Sequence, residues 1–148
     1  MQLKIHLLHP DASLPTYAHN TDSGMDLCAI EDTIIPPGER QLISTGIAIE
    51  LPPNTEAQIR PRSGLAYKHG ITVLNSPGTI DEGYRGEIKV ILINHSRTDF
   101  HINQGMRIAQ MVIAPVLRPA LEIIRDFPHN ELVGSTTRGA NGFGSTGV

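Results

Sequence analysis

The fold of this chain is decided by the stretch Ile71-Thr-Val-Leu-Asn-Ser-Pro-Gly-Thr-Ile-Asp-Glu-Gly-Tyr-Arg-Gly-Glu-Ile-Lys-Val-Ile-Leu-Ile93. Both of its ends are apolar and rich in β-branched residues, which is typical of β-strands. The turn signals Pro77-Gly78 and Glu82-Gly83 lie between them. The stretch therefore predicts a sharply bent β-hairpin whose tip carries Asp81 and Tyr84.

The tip of this hairpin is also rich in glycine, with Gly78, Gly83 and Gly86 close to Asp81. Glycines allow a backbone to approach a ligand closely, so such a tip can offer backbone N–H and C=O groups to a flat polar ring with a carboxylate beside it. An ordinary tight turn with a solvated aspartate has the same local sequence. The stretch alone leaves both interpretations open.

Turn signals recur along the whole chain, which contains 14 glycines and 11 prolines. Short alternating or fully apolar runs lie between them, and no long stretch has a period of 3.6 residues. This pattern predicts an all-β barrel or sandwich, without a second domain or an internal repeat. The only helix candidate is Ser63 to His69, with Ser63 as N-cap and Gly70 as the stop.

Length, charge and cysteine content narrow the class of protein. A chain of 148 residues fits one domain that buries about two-thirds of its unfolded surface. A net charge of −3 gives no reason to expect nucleic acid or an anionic membrane as a partner. With Cys28 as its single cysteine and no apolar run resembling a signal peptide or a membrane span, the chain is expected to be cytoplasmic.

The last fifteen residues have a different composition. Ten of the residues from Gly134 to Val148 are Gly, Ser or Thr, so the segment buries too little surface to order itself. We therefore predict a β domain over residues 1–133 and a flexible tail over residues 134–148. A fraying terminus is one interpretation of the tail. The other is a phosphate-binding lid, because a Gly-rich run with hydroxyls and Arg138 offers donors to anions.

Three further segments combine polar side chains with turns or strand patterns. Ser23–Ala29 contains Asp26, Pro61–Ala66 joins Arg62 to a helix start, and Gly105–Met111 contains Arg107 and Gln110. A helix start with an arginine suits an anion, although each segment is also explained by a cap, a turn or a solvated strand residue. The seven histidines show no metal-ligand spacing, so no zinc site is predicted.

Taken together in order, five segments resemble the five motifs of the trimeric dUTPases (deoxyuridine triphosphate nucleotidohydrolases). Two departures are minor: Ser23 stands where alanine is frequent, and Cys28 occupies a variable position. Residues 117–133 match no motif. The five segments are Ser23–Ala29, Pro61–Gly70, Leu74–Glu87, Gly105–Gln110 and Arg138–Gly147.

The resemblance implies a jelly-roll-like β-barrel with one short helix and a flexible C-terminal tail. It also implies a homotrimer whose three active sites lie at subunit interfaces. The implied reaction is hydrolysis of dUTP to dUMP and pyrophosphate, with Mg²⁺ on the triphosphate. Such an enzyme clears dUTP from the nucleotide pool and supplies dUMP for thymidylate synthesis.

By the same resemblance, the hairpin holds the nucleoside and the reacting water. Asp81 would be the base that deprotonates the water attacking the α-phosphorus. Tyr84 would stack on the deoxyribose and leave no room for a 2′-hydroxyl. Uracil would be read by the Asn75 side chain and by backbone groups of Thr79, Ile80 and Lys89.

The other motifs would hold the phosphates and the metal. Asp26 would act on Mg²⁺ through water, Gln110 would contact the α-phosphate region, and Phe143 in the tail would stack on uracil. The remaining residues assigned to phosphate or substrate binding are Arg62, Ser63, Gly64, Arg138, Gly144, Ser145 and Thr146.

Two alternatives have different chemistry. A dCTP deaminase shares the barrel but would attack cytosine C4, and the hairpin here resembles the hydrolase form instead. A non-catalytic jelly-roll module could bind nucleotide for regulation, although every expected polar residue, Asp81 included, is retained.

Overall fold

The computed structural model describes residues 1–125, 128–142 and 145. It divides the chain into two compact units, Met1–Leu117 and Arg118–Val148. The described residues form eleven strands and two short helices. None of these helices has the length and apolar character that crossing a membrane requires.

Most of the elements follow one another closely, but a long connection separates β1 from β2 and another separates β11 from α2. In chain order they are β1 Lys4–Leu7, β2 Met25–Cys28, β3 Thr33–Ile35, β4 Arg40–Ser44, β5 Ile47–Glu50, β6 Thr55–Arg60, α1 Ser63–His69, β7 Ile71–Val73, β8 Gly78–Ile80, β9 Lys89–Asn94, β10 Phe100–Ile102, β11 Arg107–Pro115 and α2 His129–Gly134.

The strands form four antiparallel groups around one hydrophobic core. Their orders are β2-β11-β6-β8, β4-β9-β7, β1-β5 and β10-β3. Alternating residues of β2 and β6 are buried, as expected for strands with one face on a core. The predicted all-β class is therefore confirmed, and the strand orders of the described residues are open, so these strands do not close into a barrel.

The decisive stretch forms a more elaborate hairpin than its sequence predicts. Strands β7 and β9 pair antiparallel, with Ile71 opposite Asn94. Between them, however, β8 leaves this sheet and pairs with β6, where Gly78 lies opposite Ile59. Gly78 is buried, and a Cβ there would lie 3.4 Å from the Ile59 Cβ and only 3.2 Å from Asn75 Nδ2, so a larger residue would crowd Asn75.

Helix α1 has the predicted bounds, but its start differs in detail. Arg62, in extended conformation, occupies the N-cap position, and Ser63 is the first residue of the helix. No side chain makes a capping hydrogen bond at this end. The end agrees with the prediction, since Gly70 adopts a left-handed φ of 66° and its N–H donates to Ala66 O at 3.1 Å.

A second short helix, for which the sequence contains no signal, lies in the unit Arg118–Val148. Helix α2 spans six residues after Pro128, which precedes it in extended conformation. None of its residues is buried, so the sequence has no apolar stripe there that would indicate a helix. The separation into a domain over 1–133 and a tail over 134–148 stays a prediction, and the compact units divide at Leu117 instead.

Candidate active site

Strand β11 brings three of the polar segments together. It lies between β2 and β6, and its residue Gln110 is opposite Asp26 on one side and Arg60 on the other. Arg62 follows β6 by two residues, so it lies at the same end of the sheet. An irregularity of β11 between Arg107 and Ala109 shifts the register beside β2.

A cleft of about 480 Å³ opens at this end of the sheet, within the unit Met1–Leu117. The predicted site residues that line it are Asp26, Arg62, Ser63, Gly64 and Gln110. Six other polar side chains of the lining were not assigned a role from the sequence, namely His19, Asp22, Ser23, Lys68, His69 and Arg107.

The most charged part of the cleft is a cluster of one acid and two arginines. Arg62 Nε lies 3.1 Å from Asp26 Oδ1, and Arg107 Nη1 donates to Asp26 Oδ2 at 3.2 Å. Arg62 Nη1 also donates to the Arg107 carbonyl at 3.1 Å. The side chain of Asp26 is only 15% exposed, against 28% for Arg62 and 55% for Arg107. The cluster therefore directs excess positive charge towards the open part of the cleft.

The amide of Gln110 is held in place by backbone on two sides. Its Nε2 donates to the Pro61 carbonyl at 2.9 Å. A Cβ on Gly24 would overlap Gln110 Oε1, so a side chain at this position would force the Gln110 amide to move. Gln110 is thus fixed beside Asp26 and the start of α1.

The Asn75 to Glu87 segment carries a second group of predicted site residues, and it does not line this cleft. Asn75 is exposed, and its Nδ2 lies close to the backbone of Gly78, where a Cβ would be 3.2 Å away. Strand β8, which contains Thr79 and Ile80, is the outer strand of its sheet. Its edge away from β6 therefore presents backbone donors and acceptors.

The ring of Tyr84 is fixed across Gly86. Its Oη donates to the Glu87 carbonyl at 3.0 Å, and a Cβ on Gly86 would overlap the ring. The Tyr84 N–H donates to the Asp81 carbonyl at 3.0 Å, which closes the turn and leaves the Asp81 side chain exposed. The segment therefore presents a rigid aromatic face and a free carboxylate side by side in the chain.

Two acidic residues that the sequence analysis did not single out tie this segment to neighbouring loops. Glu82 Oε2 accepts from the Asn54 N–H at 3.0 Å. Glu87 accepts from the Gly46 N–H at 2.9 Å, and its Oε2 lies 3.3 Å from Lys89 Nζ. Only their loop partners reveal these roles, and local sequence contains no signal for such distant contacts.

The residues predicted in the tail lie in the unit Arg118–Val148, which is described by itself. Arg138 Nε donates to the Asn141 carbonyl at 3.1 Å, and the Ser145 N–H donates to the Gly142 carbonyl at 3.0 Å. These local bonds form turns. The predictions for Phe143, Gly144 and Thr146 lie outside the described residues.

The single thiol next to the cleft is not poised for nucleophilic chemistry. Burial, and after it the nearby Asp26 carboxylate, raises the pKa of Cys28, while Arg107 and Arg62 act in the opposite direction. A raised pKa keeps the thiol protonated at neutral pH. The chemistry of the cleft therefore depends on carboxylates and cations.

The side chains of the cleft offer few ligands for a metal ion. Among residues 1–125, 128–142 and 145, no three His, Cys, Asp or Glu residues are grouped as metal ligands. Only two carboxylates, Asp22 and Asp26, are among the described residues that line the cleft, and so small a set fits a hard cation that keeps its waters and is held mainly by bound phosphates. The cleft thus fits Mg²⁺ arriving with a polyphosphate and does not fit a cation held by protein alone.

Comparisons with known proteins agree with this chemistry. The family model described as dUTPase matches residues 10–147. A relative named deoxyuridine 5′-triphosphate nucleotidohydrolase, from Gloeothece citriformis, is 64% identical over 148 residues, covering all of this chain and 98% of the relative.

Solved structures show the same fold. A mutant dUTPase of Staphylococcus bacteriophage 80alpha with dUpNHpp superposes with a TM-score of 0.88 and 27% identity, covering 99% of both chains. A mutant dUTPase from phage phi11 of S. aureus, described for the coordination of a structural Mg(II) ion, has a TM-score of 0.79 and 25% identity. That superposition covers 86% of this chain and 99% of the phage protein.

Proposed function

Because this chain belongs to the dUTPase family and hydrolyses dUTP, we propose that Asp81 is the base that activates the attacking water. The Asp81 carboxylate is exposed, so water can reach it. The turn that carries it is closed by the hydrogen bond from Tyr84 N–H to the Asp81 carbonyl. Asp81 takes a proton from the water, whose oxygen bonds to the α-phosphorus as the bond to the bridging oxygen breaks. The products are dUMP and pyrophosphate.

The outer edge of β8 supports uracil recognition by this segment. The Asn75 amide, with backbone groups of Thr79, Ile80 and Lys89, would pair with the polar edge of uracil. The Asn75 amide lies next to Gly78, the first residue of β8. Cytosine reverses part of the donor and acceptor pattern, and groups left unpaired on binding are costly, so dCTP would be rejected.

Selection of deoxyribose would come from Tyr84. The ring is fixed over Gly86 by the bond from its Oη to the Glu87 carbonyl, so it cannot easily move aside. A ribose 2′-hydroxyl would meet this face. UTP would therefore bind poorly although its base is identical.

The charged cleft supports triphosphate binding, and this is the observation that carries the proposal. Arg62 with the Ser63 and Gly64 backbone would hold phosphate oxygens, and Gln110 would contact the α-phosphate region. Arginine forks match phosphate geometry well. Asp26 would hold Mg²⁺ through water, and the ion, when bound, would neutralise part of the phosphate charge.

The site would be shared in a homotrimer. The residues assigned to phosphate lie in the cleft, while the residues assigned to uracil, sugar and water do not line it. Completion of each cleft by a neighbour's Asn75 to Glu87 segment explains this separation. We propose that the trimer is located in the cytoplasm. There it would clear dUTP and supply dUMP for thymidylate synthesis.

The relatives do not favour either alternative considered from the sequence. The Gloeothece relative bears the name of the hydrolase, and so do the phage structures in shorter form. A deaminase or a non-catalytic module is therefore not retained.

Hydrolysis in ¹⁸O-labelled water tests the position of attack. Attack on the α-phosphorus places the label in dUMP and leaves pyrophosphate unlabelled, because the bond between the α-phosphorus and the bridging oxygen breaks. Mass spectra of the two products distinguish the positions. A label in pyrophosphate would contradict the role given to Asp81, and dCTP and UTP serve as controls for base and sugar selection.

A fluorescent probe tests the proposed role of the tail. The chain has no tryptophan, so Phe143→Trp introduces a single indole. Stacking on uracil is expected to change its emission when a non-hydrolysable dUTP analogue is added. The change should be smaller with dUMP, which lacks the phosphate that Arg138, Ser145 and Thr146 would bind. An unchanged spectrum with saturating analogue would exclude the stacking.

A further inference from the structure

We propose that Asp26 is an internal counter-ion which occupies the place of a phosphate oxygen between Arg62 and Arg107 until a polyphosphate displaces it. Arg107 is thereby a further substrate-binding residue, not only a partner of Asp26. The inference rests on the proposed function in one respect, namely that this cleft receives the triphosphate. It adds that the protein itself competes for the two arginines.

The geometry of the cluster carries this inference. Each carboxylate oxygen of Asp26 has its own arginine, with Arg62 Nε at 3.1 Å and Arg107 Nη1 at 3.2 Å. The arginines are also joined to each other, because Arg62 Nη1 donates to the Arg107 carbonyl. A carboxylate placed between two guanidinium groups has the same binding mode that a phosphate with two oxygens would adopt there.

The exposure of the three side chains shows which of them a ligand meets first. Asp26 is 15% exposed, whereas Arg107 is 55% exposed. An incoming anion therefore meets the arginines before it meets the carboxylate. Each guanidinium has five N–H donors, so those not engaged with Asp26 or with the Arg107 carbonyl remain for phosphate oxygens.

Asp26 cannot withdraw far once phosphates arrive. It lies on β2, opposite Gln110 of β11, and its backbone N–H donates to the Thr16 carbonyl at 2.9 Å. The carboxylate thus stays next to the bound anion and repels it unless a cation lies between them. Asp26 therefore weakens binding of a metal-free polyphosphate, and this penalty couples nucleotide affinity to Mg²⁺.

Binding of inorganic tripolyphosphate in EDTA, measured by calorimetry on the full chain, tests the inference. Asp26→Asn is expected to bind tripolyphosphate about tenfold or more tightly than the wild type, since one repelling charge is removed. Arg107→Gln is expected to bind it about tenfold more weakly, since one phosphate partner is lost. Equal or weaker binding by Asp26→Asn would contradict the proposal that Asp26 is an internal counter-ion. Unchanged binding by Arg107→Gln would contradict the proposal that Arg107 binds phosphate.

Glu50→Gln is the matched control. Glu50 is also an acid paired with two basic side chains, Lys4 Nζ and His6 Nε2, each at 2.9 Å, and it does not line the cleft. Its removal changes net charge by the same amount and should leave tripolyphosphate affinity unchanged. Tighter binding by this variant equal to that of Asp26→Asn would show a general charge effect and overturn the proposal.

A second measurement uses the wild-type protein, in case Asp26→Asn does not fold. The side-chain Nε–Hε resonance of Arg62 is expected to shift when tripolyphosphate is added in EDTA, because its nearest anion changes from carboxylate to phosphate. No shift at saturation would overturn the displacement. None of these results depends on Asp81 or on turnover. A failure here therefore leaves the proposed hydrolysis testable through the position of the ¹⁸O label.

Discussion

Replacing Asp81 by Asn is expected to lower the turnover of dUTP by about 10²- to 10⁴-fold, with nucleotide binding retained. The substitution keeps the shape of the side chain and removes its ability to accept a proton. The Asp81 carbonyl, which accepts from Tyr84 N–H, belongs to the backbone and is unaffected. The loss should therefore appear in kcat, while the affinity for a non-hydrolysable analogue stays close to that of the wild type.

Asp99→Asn is a suitable control for this variant. Asp99 is exposed in the turn before β10 and does not line the cleft. The Asp99→Asn substitution removes the same charge as Asp81→Asn, and the turnover of this variant should equal that of the wild type. If Asp81→Asn retained turnover within a few-fold of wild type, another group would have to be the base.

Local sequence predicts the elements of this fold well where one residue type determines the backbone. Gly70 ends α1 because its left-handed φ of 66° suits glycine, and the helix spans Ser63 to His69 as predicted. The apolar runs at the two ends of the decisive stretch become β7 and β9 for another local reason, because β-branched residues favour strands. Local patterning is sufficient for such elements.

Contacts between distant segments were not predictable from local sequence. The crossing of β8 to β6 depends on Gly78 meeting Ile59, and no turn signal specifies that partner. Arg107 resembles an ordinary solvated strand residue until the pairing of β2 with β11 places Asp26 beside it. Only the order of the five motifs, compared with a family, links these segments before the structure is known.

The position at which helix α2 ends determines where the chain can be truncated to test the role of the tail. Helix α2 ends at Gly134, and both the N–H and the hydroxyl of Ser135 donate to the Leu132 carbonyl. A chain that ends at Ser135 therefore keeps this helix and its last bonds while removing the Gly-rich segment. Such a truncation is expected to be folded and nearly inactive, because the proposed lid over the site is missing.

Complementation between two inactive proteins is the sharpest test of a shared site. One protein carries Asp81→Asn with its tail intact, and the other ends at Ser135 with Asp81 intact. In the proposed homotrimer, either protein alone would lack one of the two parts in every site. When both are mixed in equal amounts, unfolded and refolded together, we expect activity to appear.

The expected size of this activity follows from random assembly. If the Asp81 segment and the tail of one site come from different subunits, each is functional with a chance of one half. About a quarter of the sites then have both parts, so the mixture should show about a quarter of the wild-type activity. Wild-type protein refolded in the same way sets the scale.

If a tail instead served the Asp81 segment of its own subunit, no mixed trimer would contain a complete site. A mixture as inactive as its components would therefore contradict the sharing of parts between subunits, and dUTP hydrolysis by the wild type would be unaffected.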